Sequence, residues 1–274
     1  MRVLSVFASD ADNLPGLLYS LANKYRPDVD EANFAQSDIW SLGYYAQDRA
    51  LIIRKPSELV ESRHFFQLAN QVRSRVLLCA VNEGQSSTEH APPHRFRSWL
   101  YSIHGNPSLF SAIRGRVEER LPNFIRSELR LETDAELGFA MFLRELHELN
   151  LLDNPLVTAR LLAEAFSKTA HSILALADEF SLTADFAMLA TNGRCNLIHS
   201  FNESLTWRLQ EGLERGPEGP PDPSLTNFNQ IIEGLKRFRA IVITDLDGSL
   251  HPARKLIQAG RTAYIDKNLT LSYL

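Results

Sequence analysis

The chain has 274 residues, of which 44% are hydrophobic and 23% charged, so its composition excludes a disordered, collagenous or coiled-coil protein. That length suits one large domain or two small ones, each able to bury a core. Lys and Arg number 29 against 33 Asp and Glu, a net charge of −4, so no global basic field would draw the chain to nucleic acid or an anionic membrane.

The first half of the sequence alternates strand and loop patterns. Apolar, β-branched and aromatic runs predict strands at 3–8, 40–45, 50–54, 76–81 and 99–103, the second and third forming a hairpin. Leucines at helical spacing predict a helix from Leu14, and Pro56-Ser57 predicts another that ends near Val72. The polar, proline-containing stretch 83–97 is expected to be a loop, and 104–107 a turn.

The second half becomes helical before strands return. Apolar residues at helical spacing predict helices at 110–121, 139–149, 161–177 and 228–238. Strands are expected at 185–190, 197–200 and 240–244 and near the C-terminus, with a hairpin turn at Asn192-Gly193. Strands at both ends of the chain favour one domain over residues 1–274. The Gly- and Pro-rich stretch 216–223 is then a surface loop, not a domain boundary.

The sequence contains only two cysteines, Cys79 and Cys195. They are too few for a disulfide framework and too far apart in sequence for a CxxC site. We expect both to be buried core thiols. The apolar run at the start is too short for a signal-peptide core, and no 18-residue apolar stretch occurs. We therefore expect a soluble, cytoplasmic protein.

Residues 241–250 resemble the first motif of haloacid-dehalogenase-type phosphatases, in which one aspartate attacks phosphate and a second acts as an acid. Asp245 and Asp247 would be that pair. The rest of such a fold would have to follow this strand, and too few residues remain after it. We therefore interpret the segment as a strand that ends in an Asp-Gly turn.

His90 and His94 have the spacing of a helical metal pair. Pro92 and Pro93 lie between them, so this stretch cannot hold that helical turn and is expected to be a solvated loop. Neither a Gly-x-x-x-x-Gly-Lys loop nor a Gly-x-Gly-x-x-Gly motif occurs. No cofactor and no metal are therefore expected.

Several segments form an ordered pattern along the chain. They are Asp38-Ile39-Trp40-Ser41-Leu42-Gly43-Tyr44-Tyr45 with Ile53-Arg54-Lys55-Pro56, then 74–85, Pro93-His94-Arg95-Phe96, 99–106 and Thr133-Asp134-Ala135-Glu136. In this order they resemble the class II glutamine amidotransferases, specifically their smaller stand-alone branch, whose N-terminal cysteine attacks glutamine. The resemblance spans nearly the whole chain. It implies the α+β fold of the Ntn hydrolases, a four-layer α/β/β/α sandwich of two mainly antiparallel sheets.

The resemblance also implies that much of the family's chemistry is missing. Arg2 stands in the position of the nucleophilic cysteine, and a permanently protonated guanidinium cannot be a nucleophile. The initiator methionine is expected to remain, because the aminopeptidase that removes it selects small second residues. The arginine that clamps the glutamine α-carboxylate corresponds to Asn82, and a pocket threonine to Gln85. The oxyanion asparagine corresponds to His104, while the next residue, Gly105, is retained.

Asp134 corresponds to the aspartate that accepts the substrate's α-ammonium. One hypothesis is that Arg2 folds into the pocket and pairs with Asp134, which would otherwise be a buried carboxylate without its partner. The alternative leaves Arg2 exposed and Asp134 as an ordinary carboxylate at a helix N-terminus. A nucleophile relocated to Cys79 is a further alternative, although a buried thiol without a paired base keeps a high pKa.

These residues favour a catalytically inactive class II glutamine amidotransferase-like protein that acts as a binding, scaffold or regulatory protein. The alternatives are an active amidotransferase or amidohydrolase with an altered site, and a small-molecule sensor that uses the remodelled pocket. The expected partner is a protein, or else a small amino-acid-like ligand, and self-association stays open. Neither nucleic acid nor a membrane is expected as a partner.

Overall fold

The apolar runs form strands that assemble into two stacked sheets. The structure, a computed structural model, describes residues 2–24, 39–56, 71–82, 88–214, 216, 223–245 and 253–274. Its strands are β1 (Arg2–Ala8), β2 (Ile39–Ala46), β3 (Arg49–Pro56), β4 (Val76–Asn82), β5 (His94–Phe96), β6 (Trp99–Asn106), β7 (Asp185–Thr191), β8 (Asn196–Ser200), β9 (Thr206–Glu211), β10 (Arg239–Thr244), β11 (Lys255–Leu256), β12 (Thr262–Ile265) and β13 (Leu271–Tyr273). Its helices are α1 (Leu14–Lys24), α2 (Leu109–Glu118), α3 (Asn123–Glu128), α4 (Asp134–Glu148), α5 (Ala159–Glu179) and α6 (Phe228–Arg237), with a 3-10 turn at Thr88–His90.

Strand pairing is antiparallel throughout the described residues. The first sheet has the order β11-β9-β10-β1-β4-β2-β3, and the second has the order β13-β12-β8-β7-β6-β5. β1 lies at the centre of the first sheet, where Leu4 is opposite Thr244 of β10 on one side and Cys79 of β4 on the other. The start of the chain is therefore held between two long-range partners.

Three apolar cores separate the layers, because alternate residues of each strand point to opposite faces. The middle core lies between the sheets and includes Val3, Leu78 and Ile243 of the first sheet and Leu189 of the second. Leucines of α1 pack on the outer face of the first sheet. Residues of α2, α4 and α5 pack on the outer face of the second sheet. Helices thus cover both outer faces, which confirms the predicted α/β/β/α sandwich.

Helix α4 is the main support of the second sheet. Thr133 caps it in a capping box with Glu136, whose carboxylate accepts from the Thr133 backbone N–H. Phe139 stacks on Tyr101 of β6 with a centroid distance of 5.0 Å. Phe142 packs edge-on against another aromatic ring of β6. These contacts fix the helix against the strand that carries His104.

Most predicted elements are confirmed, including the β2–β3 hairpin and the β7–β8 turn at Asn192-Gly193. The predicted turn at 104–107 is wrong, because His104 to Asn106 continue β6 and pair with β7. α3 and β9 were not predicted. The expected helix after Pro56 lies largely outside the described residues, as does most of the 216–223 loop.

The prediction of a solvated loop at His90 and His94 is wrong for His94. This residue begins β5 and is only 4% exposed. The Arg54 guanidinium donates to the carbonyls of Ala91 (2.7 Å) and Pro93 (2.8 Å), which ties the segment to β3. His94 is therefore buried because β3, a strand distant in sequence, holds the segment that precedes it.

In the part of the chain that the structure describes, no helix is long and apolar enough to cross a membrane.

Candidate functional site

The end of the first sheet where β1 begins gathers several predicted site positions. The backbone of Arg2 is opposite Val81, and the next residue of β4, Asn82, is opposite Ile39 of β2. The side chains of Arg2 and Asn82, and the whole of Gln85, lie outside the described residues. The structure therefore brings the Arg2 and Asn82 backbones together on neighbouring strands.

Asp245 closes this end of the sheet. It follows β10 directly, and its Oδ1 accepts a hydrogen bond of 3.2 Å from the backbone N–H of Val3. The Asp245 carboxylate thereby satisfies the backbone N–H of the residue that follows Arg2. Backbone groups at the start of β1 are thus partly satisfied by a side chain of this protein.

His104 lies between two carboxylates at the same end. Its Nδ1 is 3.7 Å from Oδ2 of Asp245, and its Nε2 is 3.7 Å from Oε2 of Glu203 in the β8–β9 connection. The His104 and Asp245 side chains are about nine-tenths buried, at 10% and 11% exposed. One imidazole therefore bridges the end of the second sheet to the end of the first.

The cluster consists of two carboxylates around one imidazole. His104 Nδ1 is buried and has no hydrogen-bond partner. Among the described residues, neither Asp245 nor Glu203 contacts a lysine or an arginine.

Gly105, next to His104, has a φ of 101°, a backbone conformation that glycine adopts readily and other residues rarely do. A Cβ at this position would lie 2.6 Å from the Asp185 carbonyl oxygen and 2.7 Å from Cγ of Glu203. Gly105 is therefore needed for the Glu203 side chain to lie against β6.

Asp134 lies in the first turn of α4 and is held from α2. Ser111 Oγ is 2.9 Å from both carboxylate oxygens, and Arg114 Nη2 is 3.8 Å from Oδ1. The Asp134 side chain is 21% exposed. The structure thus gives this carboxylate a local cationic partner, and no contact with the His104 cluster is found among the described residues. The hypothesised pair with Arg2 is not needed to neutralise it.

Neither cysteine is placed to serve as a nucleophile. Cys79 faces the α1 layer, in one core with Val6 and Leu77, and burial raises the pKa of its thiol. Burial also raises the pKa of Cys195 to about 12. Both side chains are buried, as the sequence predicted. A thiolate at either position would lack stabilising charge.

His94 is buried near Glu136, whose Oε1 is 3.9 Å from its Nδ1. Burial lowers the pKa of His94 to about 3, with smaller contributions from the positive charges of Arg54 and His90. His90 is paired instead with Glu132 at 3.1 Å. No group of three or more potential ligands suited to a metal ion occurs in the described ranges.

Two residues of the cluster, Asp245 and Glu203, are not connected with His104 by any sequence pattern. Asp245 stands at the end of an apolar strand, where the phosphatase-like motif singles it out but implies a different chemistry. No signal in the sequence connects Glu203 to His104, because they meet only when β6 and the β8–β9 connection come together.

Several solved structures have a similar fold. A glutamine aminotransferase class-II domain protein from Silicibacter pomeroyi has a TM-score of 0.61 at 13% identity, covering 100% of this chain and 98% of that one. A predicted glutamine amidotransferase from Pseudomonas aeruginosa PA01 has a TM-score of 0.52 at 13% identity, covering 100% and 95%. The allosteric regulatory enzyme of purine biosynthesis has a TM-score of 0.55 at 11% identity, covering 100% and 48%.

No protein-family model and no curated protein matches the sequence. At this level of identity, the likeness concerns the arrangement of sheets and helices rather than the chemistry of the site. The chain therefore shares the fold of class II glutamine amidotransferase domain proteins.

Proposed function

We propose that this chain uses a glutamine amidotransferase fold for binding and regulation, and does not hydrolyse glutamine. The observation that carries the proposal is the pair of carboxylates around His104. By the resemblance, His104 stands where an asparagine would stabilise the oxyanion of the reaction. Asp245 and Glu203 make that position electrostatically negative.

Coulomb's law gives the size of this effect. If an oxyanion formed about 4 Å from one of these carboxylates, it would be disfavoured by about 4 kcal/mol at an effective dielectric constant of about 20. A single oxyanion-hole donor contributes only about 3–4 kcal/mol. A hydrogen bond from His104 would therefore be offset by one neighbouring carboxylate, and a second one is present.

The replacement of the family's nucleophilic cysteine supports the same proposal. Arg2 replaces the family's cysteine, and the chain's only thiols, Cys79 and Cys195, are buried. The clamp arginine is replaced by Asn82, and Asp134 is engaged by α2. Each of these differences weakens either the chemistry or the binding of free glutamine.

A protein partner is the proposed ligand for this fold. A small-molecule sensor is the second candidate. The acidic cluster favours a sensor whose ligand is a small organic amine. Asp245 and Glu203 have no lysine or arginine partner among the described residues. Their charge would suit a small organic amine better than a zwitterionic amino acid.

The test measures ammonia release from L-glutamine by the purified protein, beside His104→Ala and the exposed control His147→Ala. We expect ammonia at the buffer background for all three proteins. Saturable release that His104→Ala abolishes and His147→Ala keeps would overturn the proposal.

In parallel, a thermal-shift series compares methylamine with glutamine, because a ligand that binds only the folded state raises Tm. If methylamine raises the Tm of the wild type but not that of Asp245→Asn, the result would favour the small-molecule sensor over the protein-binding function.

A further inference from the structure

Arg208 lies on the outer face of the first sheet, away from the His104 cluster. It is directly opposite Val242 of β10, which packs with the α1 leucines. Its neighbours in β9, Trp207 and Leu209, pack against the middle core instead. Strand alternation therefore sends the Arg208 side chain into the helical layer that covers the sheet.

The Arg208 side chain is buried, and the described residues provide no counterion for it. The residue is only 4% exposed, and its Nε is fully buried with no hydrogen-bond partner. Within the described part of the chain, no hydrogen bond or ion pair to its guanidinium is found. Burial lowers its pKa, and no nearby carboxylate opposes that shift.

This arrangement is costly for a group that stays protonated. Burying an unpaired charge is strongly unfavourable, and an arginine cannot avoid that cost by losing its proton. Carboxylates of the surrounding elements are engaged elsewhere: Glu211 pairs with Arg239, and Glu233 pairs with Lys236 and Arg237. The fold itself does not supply the missing anion from these groups.

Further polar groups border this position. Lys255 of β11 is opposite Trp207, so Arg254, the preceding residue, lies next in line beside Arg208. Burial lowers the pKa of Arg254 as well. Gln210 follows on the same face of β9, and its amide donates to the Gly212 carbonyl at 2.9 Å. Two arginines therefore lie on adjacent segments of this face.

We propose that Arg208 is the centre of an anion-binding site on the outer face of the first sheet, and that its ligand is a small oxyanion group, either a phosphate or a carboxylate. The guanidinium presents a planar set of donors that matches two oxygens of such a group. The site is separate from the cluster of His104, which faces the middle core. It does not depend on the function proposed above.

The experiment compares the wild-type protein with Arg208→Met and with Arg160→Met, whose arginine is exposed on α5. Thermal and urea unfolding are measured in chloride, inorganic phosphate and acetate at matched ionic strength. Phosphate also stabilises proteins that have no binding site for it, because it is excluded from their surface. The response of Arg208→Met therefore gives the baseline for this non-specific stabilisation. A site with Kd near 1 mM, filled at about 10 mM phosphate, raises the ratio of folded to unfolded protein about 11-fold.

We expect a saturable rise of Tm with oxyanion for the wild type and Arg160→Met, and only the baseline rise for Arg208→Met. A larger response to phosphate than to acetate would assign a phosphate ligand, and the reverse a carboxylate. In chloride alone, Arg208→Met should be at least as stable as the wild type, because it removes an unpaired buried charge. Equal oxyanion responses in all three proteins would overturn the proposal. If Arg208→Met fails to fold, Arg208→Gln answers the same question, and calorimetric titration of the wild type must show saturable heat with phosphate or with acetate.

Discussion

Buried His94 should make the protein lose stability in mild acid. Its pKa is about 3 in the folded protein, against about 6.5 for an exposed histidine in the unfolded chain. Between these values the unfolded chain binds a proton that the folded protein does not, so stability falls as the pH falls. Arg54 of β3, Glu136 of α4 and His90 are the charged or titratable groups that face it.

The linkage relation gives the size of this effect. From about pH 7.5 to about pH 5, an ordinary histidine of the unfolded chain takes up nearly a full proton, while His94 stays neutral. One pKa unit corresponds to about 1.4 kcal/mol, so His94 accounts for a loss of about 2 kcal/mol over that range. His199, whose pKa burial lowers to about 4, adds a comparable loss that every variant shares.

The assay is urea unfolding of wild type, His94→Gln and His147→Gln at both pH values. His147 is exposed at the end of α4 and serves as the control. We expect His94→Gln to lose about 2 kcal/mol less on acidification than the other two proteins, whatever its stability at neutral pH. Equal losses within about 0.5 kcal/mol in all three would refute the assignment of His94 as a buried neutral histidine.

Further predictions concern activity and packing. Arg2→Cys alone should give no ammonia from glutamine, since Asn82 provides no carboxylate fork; activity in that single variant, without Asn82→Arg, would show that the clamp is dispensable. Gly138→Ala should destabilise by about 1–3 kcal/mol in urea unfolding, because its Cβ would lie 2.7 Å from a buried tyrosine oxygen, whereas Gly115→Ala, with no atom within 4 Å, should stabilise by about 0.5–1 kcal/mol. Thr133→Ala should cost about 1 kcal/mol by the same measurement, since it removes the cap of α4, and an unchanged midpoint would contradict that role.

The sequence predicts those elements whose stability comes from a local, periodic apolar pattern. Helices α4 and α5 and the β2–β3 hairpin belong to this class, and their bounds agree with the structure to within a few residues. β9 was missed because Arg208 occupies a buried position and interrupts the apolar alternation. α3, only six residues long, is too short to show helical periodicity.

The site was predicted less fully, for a physical reason. Burial of His94 depends on Arg54, and the cluster at His104 depends on Asp245, a residue of another sheet. Such contacts are produced by the packing of distant segments and leave no pattern in the local sequence. The resemblance to a family singles out His104 and Gly105 as site positions, but it does not indicate the Asp245 carboxylate that lies beside His104.

The central place of β1 has a consequence for the order of folding. Val3 and its partner Asp245 are 242 residues apart in sequence, and β10 lies close to the other end of the described chain. During synthesis, one edge of β1 therefore stays unpaired until β10 has left the ribosome, so the first sheet closes late. Contacts of such long range slow folding and leave an apolar strand edge open to wrong partners. A chain cut before Arg239 should consequently aggregate rather than fold, even though it retains the whole of the second sheet except β12 and β13.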